Sequence, residues 1–150
     1  MVIIRQATEK DIPHILELYR QLAFSSPPPD TLQLPVEEYR KVFSEMSKMP
    51  GYRLLVAEED DTIVGTTVVA VLPGIAHGTS PFAVVEYVVV DKNHRRKGIG
   101  KLLMDYVKDF ARDAGCYKVG LTSDNRRVEA HEFYRSLGFE ASAHGFRFYF

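Results

Sequence analysis

The sequence has little of what marks several special classes of protein. Its 150 residues include one cysteine, Cys116, so an internal disulfide is excluded and a reducing cytoplasm is the expected location. No apolar run reaches the roughly 18 residues that a membrane span needs, and the start lacks the pattern of a secretory signal. The formal net charge of -1 gives no global field for nucleic acid. We therefore expect a globular cytoplasmic protein without nucleic-acid or membrane partners.

Alternating strand and helix patterns are what the sequence does contain. The expected order is β-α-α-β-β-β-α-β-α-β, in which "PFAVVEYVVVD" is a central strand that is apolar on both faces. The prolines of "SSPPPDTLQLP" predict a loop, and "FEASAHGFRFYF" is expected to supply one or two closing strands. Because no repeat or linker divides the chain, we predict a single α/β domain over residues 1–150 with a mixed sheet.

A basic, glycine-containing turn follows the central strand and leads into the most regular helix. The helix N-terminus carries unpaired N–H groups, and Gly98 and Gly100 would let a phosphate approach the backbone. Positive charge surrounds these glycines at Arg95, Arg96, Lys97 and Lys101. A diphosphate is the simplest ligand that fits, and the alternative is a solvated turn whose glycines relieve strain. A dinucleotide fingerprint is excluded because Leu103 stands where its third glycine would be.

The turn and a later helix resemble two motifs of the GNAT family of acetyl-CoA-dependent N-acetyltransferases. The family pattern Arg/Gln-x-x-Gly-x-Gly/Ala corresponds to residues 95–100, and "EAHEFYRSLGF" resembles the family's tyrosine-bearing helix. The resemblance implies a mixed, mostly antiparallel central sheet flanked by helices, with acetyl-CoA as cosubstrate. It implies a diphosphate on the turn and a pantetheine arm paired with the strand backbone, at Val88, Val89, Val90, Arg95, Arg96, Lys97, Gly98, Ile99, Gly100 and Lys101.

Glu86 and Tyr134 are the candidate catalytic residues. Glu86 interrupts an apolar strand and by alternation shares a face with Val88 and Val90, so its carboxylate is either desolvated or lines a cleft. It could act as the base, and the alternative is a structural partner such as an arginine. The resemblance implies that Tyr134 protonates the CoA thiolate, whereas its helical spacing alone is typical of a core aromatic.

Three further residues carry weaker expectations. The family's cofactor-contacting asparagine would fall on Arg127, and Asn125 lies two residues earlier, so either residue could contact the cofactor. His131 lies one helical turn before Tyr134, and we favour a structural role for it. The remaining histidines show no metal-ligand spacing with Cys116 or one another, so no metal site is predicted.

The function expected from these features is transfer of acetyl from acetyl-CoA to a primary amine of a small molecule. "VEYVVVD" and "GCYKVGL" look like glucosamine-6-phosphate N-acetyltransferases, which favours an amino sugar phosphate, but the acceptor is not fixed. The alternatives are an acyl-CoA-binding sensor without turnover, and acetylation of a protein N-terminus or lysine. The apolar "FRFYF" could complete a sheet or pair between subunits, which leaves a homodimer open.

Overall fold

The structure, a computed structural model, describes residues 1–22 and 34–150 and contains two compact units, Met1–Gly120 and Leu121–Phe150. Most of the loop predicted from the prolines lies outside the described residues. The first unit contains strands β1 to β5 and helices α1 to α3, and the second contains α4. Their bounds are β1 Val2–Gln6, α1 Ile12–Tyr19, α2 Val36–Lys48, β2 Tyr52–Glu59, β3 Thr62–Leu72, β4 Phe82–Val90, α3 Ile99–Asp113, β5 Val119–Gly120 and α4 Val128–Ser136.

The five strands form one sheet in the order β1-β2-β3-β4-β5. The first three pairs are antiparallel, and only β4 and β5 are parallel, so the predicted mixed, mostly antiparallel sheet is confirmed. The β2–β3 hairpin turns through Asp60 and Asp61, whose φ angles of 48° and 59° suit a two-residue turn of the primed type.

The core of the first unit forms where α3 packs against the middle strands. Residues Val64 to Val69 of β3 are all buried, and the inward face of α3 includes Ile99 and Leu103. A Cβ atom at Gly65 would lie 3.2 Å from Leu103 Cδ1 and 3.3 Å from Ile99 Cγ2. Glycine at this position therefore lets the first turn of α3 lie directly on the sheet, which fixes where that helix begins.

A cluster of charges holds the start of the chain to the sheet. The Arg5 guanidinium binds both carboxylate oxygens of Asp11, at 2.8 and 3.0 Å, and also bonds Glu58 on β2. The Thr8 amide donates to Asp11 Oδ2 at 2.7 Å. Burial opposes ionisation of Asp11, but the bonds from Arg5 and Thr8 outweigh it and lower the pKa of this carboxyl. The carboxylate is therefore stabilised in its charged form.

The predicted closing strands are wrong. Residues 139–150, all of which the structure describes, form no strand, and 140–150 are exposed throughout. The alternation of aromatics at Phe146, Phe148 and Phe150 favours an extended chain, but a strand also needs a neighbouring backbone to pair with. The strand expected in "YKVGLTS" is likewise reduced to two residues, because β5 pairs only with Ala83 and Val84 of β4. None of the helices in the described ranges is long and apolar enough to cross a bilayer.

Candidate active site

The basic turn adopts the geometry of an anion-binding helix start. Gly98, with a φ of 80°, precedes the first residue of α3, and Arg96 also has a positive φ of 63°. The bond from the Leu102 amide to the Gly98 carbonyl, 3.1 Å long, is the first of the helical ladder, so the amides of residues 99–101 precede it. A Cβ atom at Gly98 would meet nothing within 4 Å. The turn therefore combines donors with open space, which suits a phosphate group.

Arg95 and Lys101, among the predicted cations, have structural partners. Arg95 Nε donates to the Val90 carbonyl at 3.1 Å and so braces the end of β4 against the turn. Lys101 Nζ lies 2.6 Å from Asp105 Oδ2, one helical turn along α3. Arg96 and Lys97 are exposed on the turn. The expectation of mobile positive charge is therefore weakened for Arg95 and Lys101, and the predicted cofactor contacts remain predictions.

A second set of bonds, which the sequence analysis missed, holds the segment before the turn. Gln21 donates from Nε2 to Asp91 Oδ1 and accepts from the Lys92 amide, each at 2.9 Å. His94 Nδ1 lies 2.6 Å from Asp91 Oδ2. The bonds from Gln21 and then His94 lower the pKa of Asp91. Because Gln21 is 70 residues away from Asp91 in the chain, no local pattern could have identified this support.

Strand β4 is interrupted by a β-bulge beside Glu86. Thr66 pairs with Val89 and Val68 pairs with Glu86, so Tyr87 and Val88 together oppose Thr67. Tyr87 has a φ of 56°, and the Thr67 hydroxyl donates to the Glu86 carbonyl at 3.1 Å. A side chain in this conformation costs on the order of 1–3 kcal/mol and is found most often at functional sites.

The bulge corrects the predicted faces of β4. Glu86 and Val89 both pair with even-numbered residues of β3, whereas Val90 pairs with Gly65. Because side chains alternate along a strand, Glu86 shares its face with Val84 and Val89. The prediction that it shares a face with Val88 and Val90 is wrong, because the extra residue at the bulge inverts the alternation.

Glu86 itself is exposed and forms no ion pair with the described residues. The interpretation as a desolvated carboxylate is therefore wrong, and no described arginine serves as its structural partner. A carboxylate that lines an open part of the strand is the alternative that remains. Beyond Val84, the edge of β4 that faces β5 has no strand partner in the part of the chain that the structure describes. That edge could accept an extended ligand as an added strand.

Tyr134 lies on α4 in the second unit, and only 8% of it is exposed. Its ring centroid lies 5.2 Å from that of Phe133 and 5.9 Å from that of Phe139. Burial raises the pKa of the Tyr134 hydroxyl, and the nearby charge of Arg127 acts in the opposite direction. The hydroxyl makes no hydrogen bond to the described residues, yet it is not among the fully buried unpaired polar atoms. The hydroxyl is thus protonated near neutral pH.

The loop before α4 is organised by Asp124. Its carboxylate binds Arg126 through Nε at 2.8 Å and Arg147 at 3.4 Å, and the bond from Arg126 is the main reason that its pKa is lowered. His131 Nε2 lies 2.8 Å from the Asp124 carbonyl, which agrees with the structural role favoured for this histidine. Asn125 is exposed in the turn. Which of Asn125 and Arg127 contacts the cofactor stays a prediction.

Residues 121–150 also contain one unsatisfied polar atom. Ser123 Oγ is buried without a hydrogen-bond partner, and the sequence analysis did not identify it. Among the described residues, no three His, Cys, Asp or Glu side chains lie close enough together to hold a metal ion. The candidate site in the first unit therefore presents backbone hydrogen-bond donors and one exposed carboxylate, and the second unit carries the candidate phenol.

Comparison with known proteins gives consistent matches to this arrangement. The family model described as "Acetyltransferase (GNAT) family" matches residues 13–139. The glucosamine 6-phosphate N-acetyltransferase of Trypanosoma brucei brucei is 29% identical over 140 residues, which are 92% of this chain and 88% of that protein. The aminoglycoside N(6')-acetyltransferase type 1 of Stenotrophomonas maltophilia is 30% identical over 71% of this chain and 69% of its own.

A solved structure with a closely similar fold carries a different description. It is called a transcriptional regulator from Bacillus halodurans C-125, with a TM-score of 0.88 and 32% identity over 100% of both chains. Since both chains are covered over their whole length, the two proteins share one fold.

Proposed function

The chain belongs to the acetyltransferase (GNAT) family and is an acetyl-CoA-dependent N-acetyltransferase, and from that premise we propose that its acceptor is the primary amine of a small molecule, with amino sugars as the leading class. Two relatives support this class, since glucosamine 6-phosphate and aminoglycosides both carry amines on sugar rings. The resemblance of "VEYVVVD" and "GCYKVGL" to glucosamine-6-phosphate N-acetyltransferases favours the same class.

The acetyl group passes directly from sulfur to nitrogen in the proposed reaction. Acetyl-CoA supplies an activated thioester, so no covalent enzyme intermediate is needed. The Glu86 carboxylate takes a proton from the ammonium form of the acceptor, directly or through water, and the free amine forms the new C–N bond as the C–S bond breaks. The Tyr134 hydroxyl gives its proton to the departing thiolate. The second proton lost by the amine nitrogen then restores the phenol through solvent.

The turn and the strand hold the cosubstrate in this proposal. The amides of residues 99–101 bind the diphosphate, with Arg96 and Lys97 adding charge. The open edge of β4 at residues 88–90 pairs with the pantetheine arm. The space beside Gly98 is open and would admit a phosphate, whereas a side chain at this position would fill it.

The bulge at Tyr87 is the observation that carries the proposal. It interrupts β4 beside an exposed carboxylate, and the same strand leads into the basic turn through Val90. A regular strand would have satisfied its backbone without strain. A bulge with a non-glycine residue at positive φ is costly to a merely structural sheet, and a site for the thioester gives it a reason.

A thiol-release screen tests the proposal. Purified protein is mixed with acetyl-CoA and separately with amino sugars, aminoglycosides, polyamines, amino acids and peptides, and free CoA thiol and product mass are measured. We expect the largest kcat/KM with an amino sugar. Highest turnover with a peptide N-terminus or lysine would instead favour protein acetylation.

The acyl-CoA-binding sensor is the competing function from another class. It predicts that CoA raises the melting temperature by mass action while no amine in the screen releases thiol. The folded Gly98→Val variant serves as the control for binding at the turn, since a branched side chain would block the diphosphate. Binding without turnover in the wild type would contradict the proposed acceptor class and support the sensor.

We also propose that the chain forms a homodimer, because its C-terminal aromatic residues are exposed, and that it is located in the cytoplasm. Phe146 and Phe148 are 92% and 84% exposed. Light scattering of the purified protein measures the oligomeric state, and a monomer at all concentrations contradicts the dimer. Fractionation of cells that express the tagged chain tests its location.

A further inference from the structure

Three tyrosines of the first unit gather beside Glu86. Tyr19 ends α1, Tyr52 begins β2 and Tyr87 lies in the bulge of β4, and we name these residues the tyrosine cluster. The ring centroids of Tyr19 and Tyr87 are 5.6 Å apart, with the planes inclined at 52°. Burial, followed by the proximity of Tyr87 and Glu86, raises the pKa of Tyr52. The same effects of burial, Tyr52 and Tyr87 raise the pKa of Tyr19.

Sheet register places Tyr52 on the face that carries Glu86. Tyr52 pairs with Ala70, which pairs with Val84, and Val84 precedes Glu86 by two residues. Residues two apart on a strand point to the same face. Tyr52 and the carboxylate thus belong to one face of the sheet, and the ring contact between Tyr19 and Tyr87, together with the proximity of both rings to Tyr52, brings the other two tyrosines next to them.

Core packing does not explain the strained backbone at Tyr87. This residue is 50% exposed, although its φ of 56° is one that side chains rarely adopt. The other positive φ angles of non-glycine residues among the described part fall on the hairpin aspartates and on Arg96 of the basic turn. Asparagine or glycine would relieve the strain, so the aromatic ring must contribute something that those residues cannot.

We propose that Tyr87, supported by Tyr19, is the surface on which the ring of the acceptor stacks while its ammonium group turns toward Glu86. An aromatic face attracts cations and packs against flat C–H surfaces, and a neighbouring carboxylate pairs with ammonium. A cyclic amine with a C–H face, such as an aminopyranose, satisfies both groups, whereas a flexible aliphatic amine satisfies only the carboxylate. The inference rests on the proposed function and names the residue that selects the acceptor.

Calorimetry and kinetics on three variants test the inference. Binding of glucosamine 6-phosphate is measured in the presence of CoA, and kcat/KM is measured with glucosamine 6-phosphate and with 1,4-diaminobutane. Tyr87→Gly removes the ring and relieves the backbone, and Tyr87→Phe removes only the hydroxyl. The matched control is Asp61→Gly, which also places glycine at a position of positive φ, but in the β2–β3 hairpin. Along β3 the hairpin lies five residues, or about 17 Å, from the position that opposes Tyr87. Should Tyr87→Gly fail to fold, Tyr87→Asn replaces it, since asparagine tolerates positive φ.

The expected result is a selective loss for the ring-bearing amine. Tyr87→Gly should weaken the binding of glucosamine 6-phosphate about 3- to 30-fold, the scale of a stacking and cation–π contact. Tyr87→Phe and Asp61→Gly should change this affinity by less than about threefold. Asp61→Gly should leave the affinity for acetyl-CoA and kcat/KM for 1,4-diaminobutane within about twofold of wild type, and in Tyr87→Gly the losses for these two compounds should be clearly smaller than the loss for glucosamine 6-phosphate. These two readouts separate acceptor recognition from damage to the fold.

Three results would overturn the inference. They are unchanged amino-sugar affinity in folded Tyr87→Gly, an equal loss for acetyl-CoA and diaminobutane, and no binding of glucosamine 6-phosphate by the wild type. Failure of the proposed function is distinguishable. Wild-type binding that is weakened by Tyr87→Gly but gives no acetyl product supports the stacking surface and contradicts the transfer.

Discussion

Glu86 and Tyr134, the two candidate catalytic groups, have opposite surroundings. Glu86 lies on a long strand of the well-packed first unit, yet its carboxylate is exposed and unpaired within the described residues. Tyr134 belongs to the small second unit, and it is the single buried residue among positions 121–150, all of which are described. The larger unit therefore offers a group that contributes little to stability, and the smaller unit offers one on which its packing depends.

The difference matters for how each role can be tested. Substitution of an exposed carboxylate removes chemistry with little effect on folding. Substitution of a buried aromatic removes packing as well, so only a change that keeps the ring isolates the hydroxyl. Burial also raises the pKa of Tyr134, so the phenol is protonated near neutral pH, which is the form that a proton donor needs.

Tyr134→Phe is expected to have the largest effect. The substitution keeps the ring contacts with Phe133 and Phe139 and removes the proton. If the hydroxyl protonates the thiolate, kcat should fall about 10²- to 10⁴-fold while acetyl-CoA affinity barely changes. Steady-state kinetics on the best amine of the screen measure both quantities.

If Tyr134→Phe keeps wild-type turnover, Tyr134 is only a core aromatic and the comparison of two catalytic groups no longer holds. Tyr134→Ala is the packing control. Loss of a buried ring should destabilise the protein by about 3 kcal/mol, read from chemical denaturation. A thioester with a more acidic thiol should shrink the Tyr134→Phe effect, since that thiolate leaves without a proton.

Glu86→Gln tests whether the exposed carboxylate acts as the base. Glutamine keeps the size and removes the proton acceptor, so kcat should fall by about 10²-fold near pH 6, where the amine is largely protonated. The loss should diminish as the pH rises, because free amine becomes available without a base. The melting temperature should not change. A loss that is uniform across pH would indicate an orienting role for Glu86.

Asp11→Asn tests a buried carboxylate of the first unit against the exposed Glu86. Removing the charge that Arg5 and Thr8 bind should cost about 2 kcal/mol in the free energy of unfolding near pH 7. The lowered pKa means that wild-type stability from this group is present above the unfolded value of about 4 and is lost as pH falls below it. Urea denaturation from pH 7 to 2.5 should show this slope in the wild type and a reduced slope in the variant. An unchanged slope would contradict the assignment.

Phe148→Ser should have the smallest effect on a monomer. Phe148 is 84% exposed and contacts the Phe150 ring, at 5.5 Å between centroids. Stability of the isolated chain should change by less than about 0.5 kcal/mol. If the tail pairs with a second copy, the variant should instead shift the light-scattering mass from dimer to monomer. A dimeric Phe148→Ser would contradict pairing through these aromatics.

Much of the fold followed from local patterns. The apolar strand "PFAVVEYVVVD" and the helix after Gly98 depend on neighbours in the chain, and the structure has both. The basic turn followed from a spacing of two glycines and from the charges beside them. Tyr134 was identified through the family motif, because helical periodicity alone predicts only a buried face.

The missed features depend on contacts across the chain. The prediction of a closing strand was wrong because aromatic alternation cannot supply the neighbouring backbone that a strand needs. The bulge could not be predicted, since "VVEYVVV" contains neither glycine nor asparagine to mark a positive φ. Gln21 supports the turn over a separation of 70 residues.

The sequence by itself determined the order of strands and helices, the position of the basic turn at a strand-to-helix junction and the types of group that could transfer a proton. These properties depend on intrinsic periodicity and on side-chain chemistry, which are local. Tertiary structure alone decided that Glu86 is exposed, that Tyr87 is strained beside it and that Tyr134 is buried. Burial, strand register and bulges are set by which segments pack together, and packing of distant segments is not written in any single stretch of the chain.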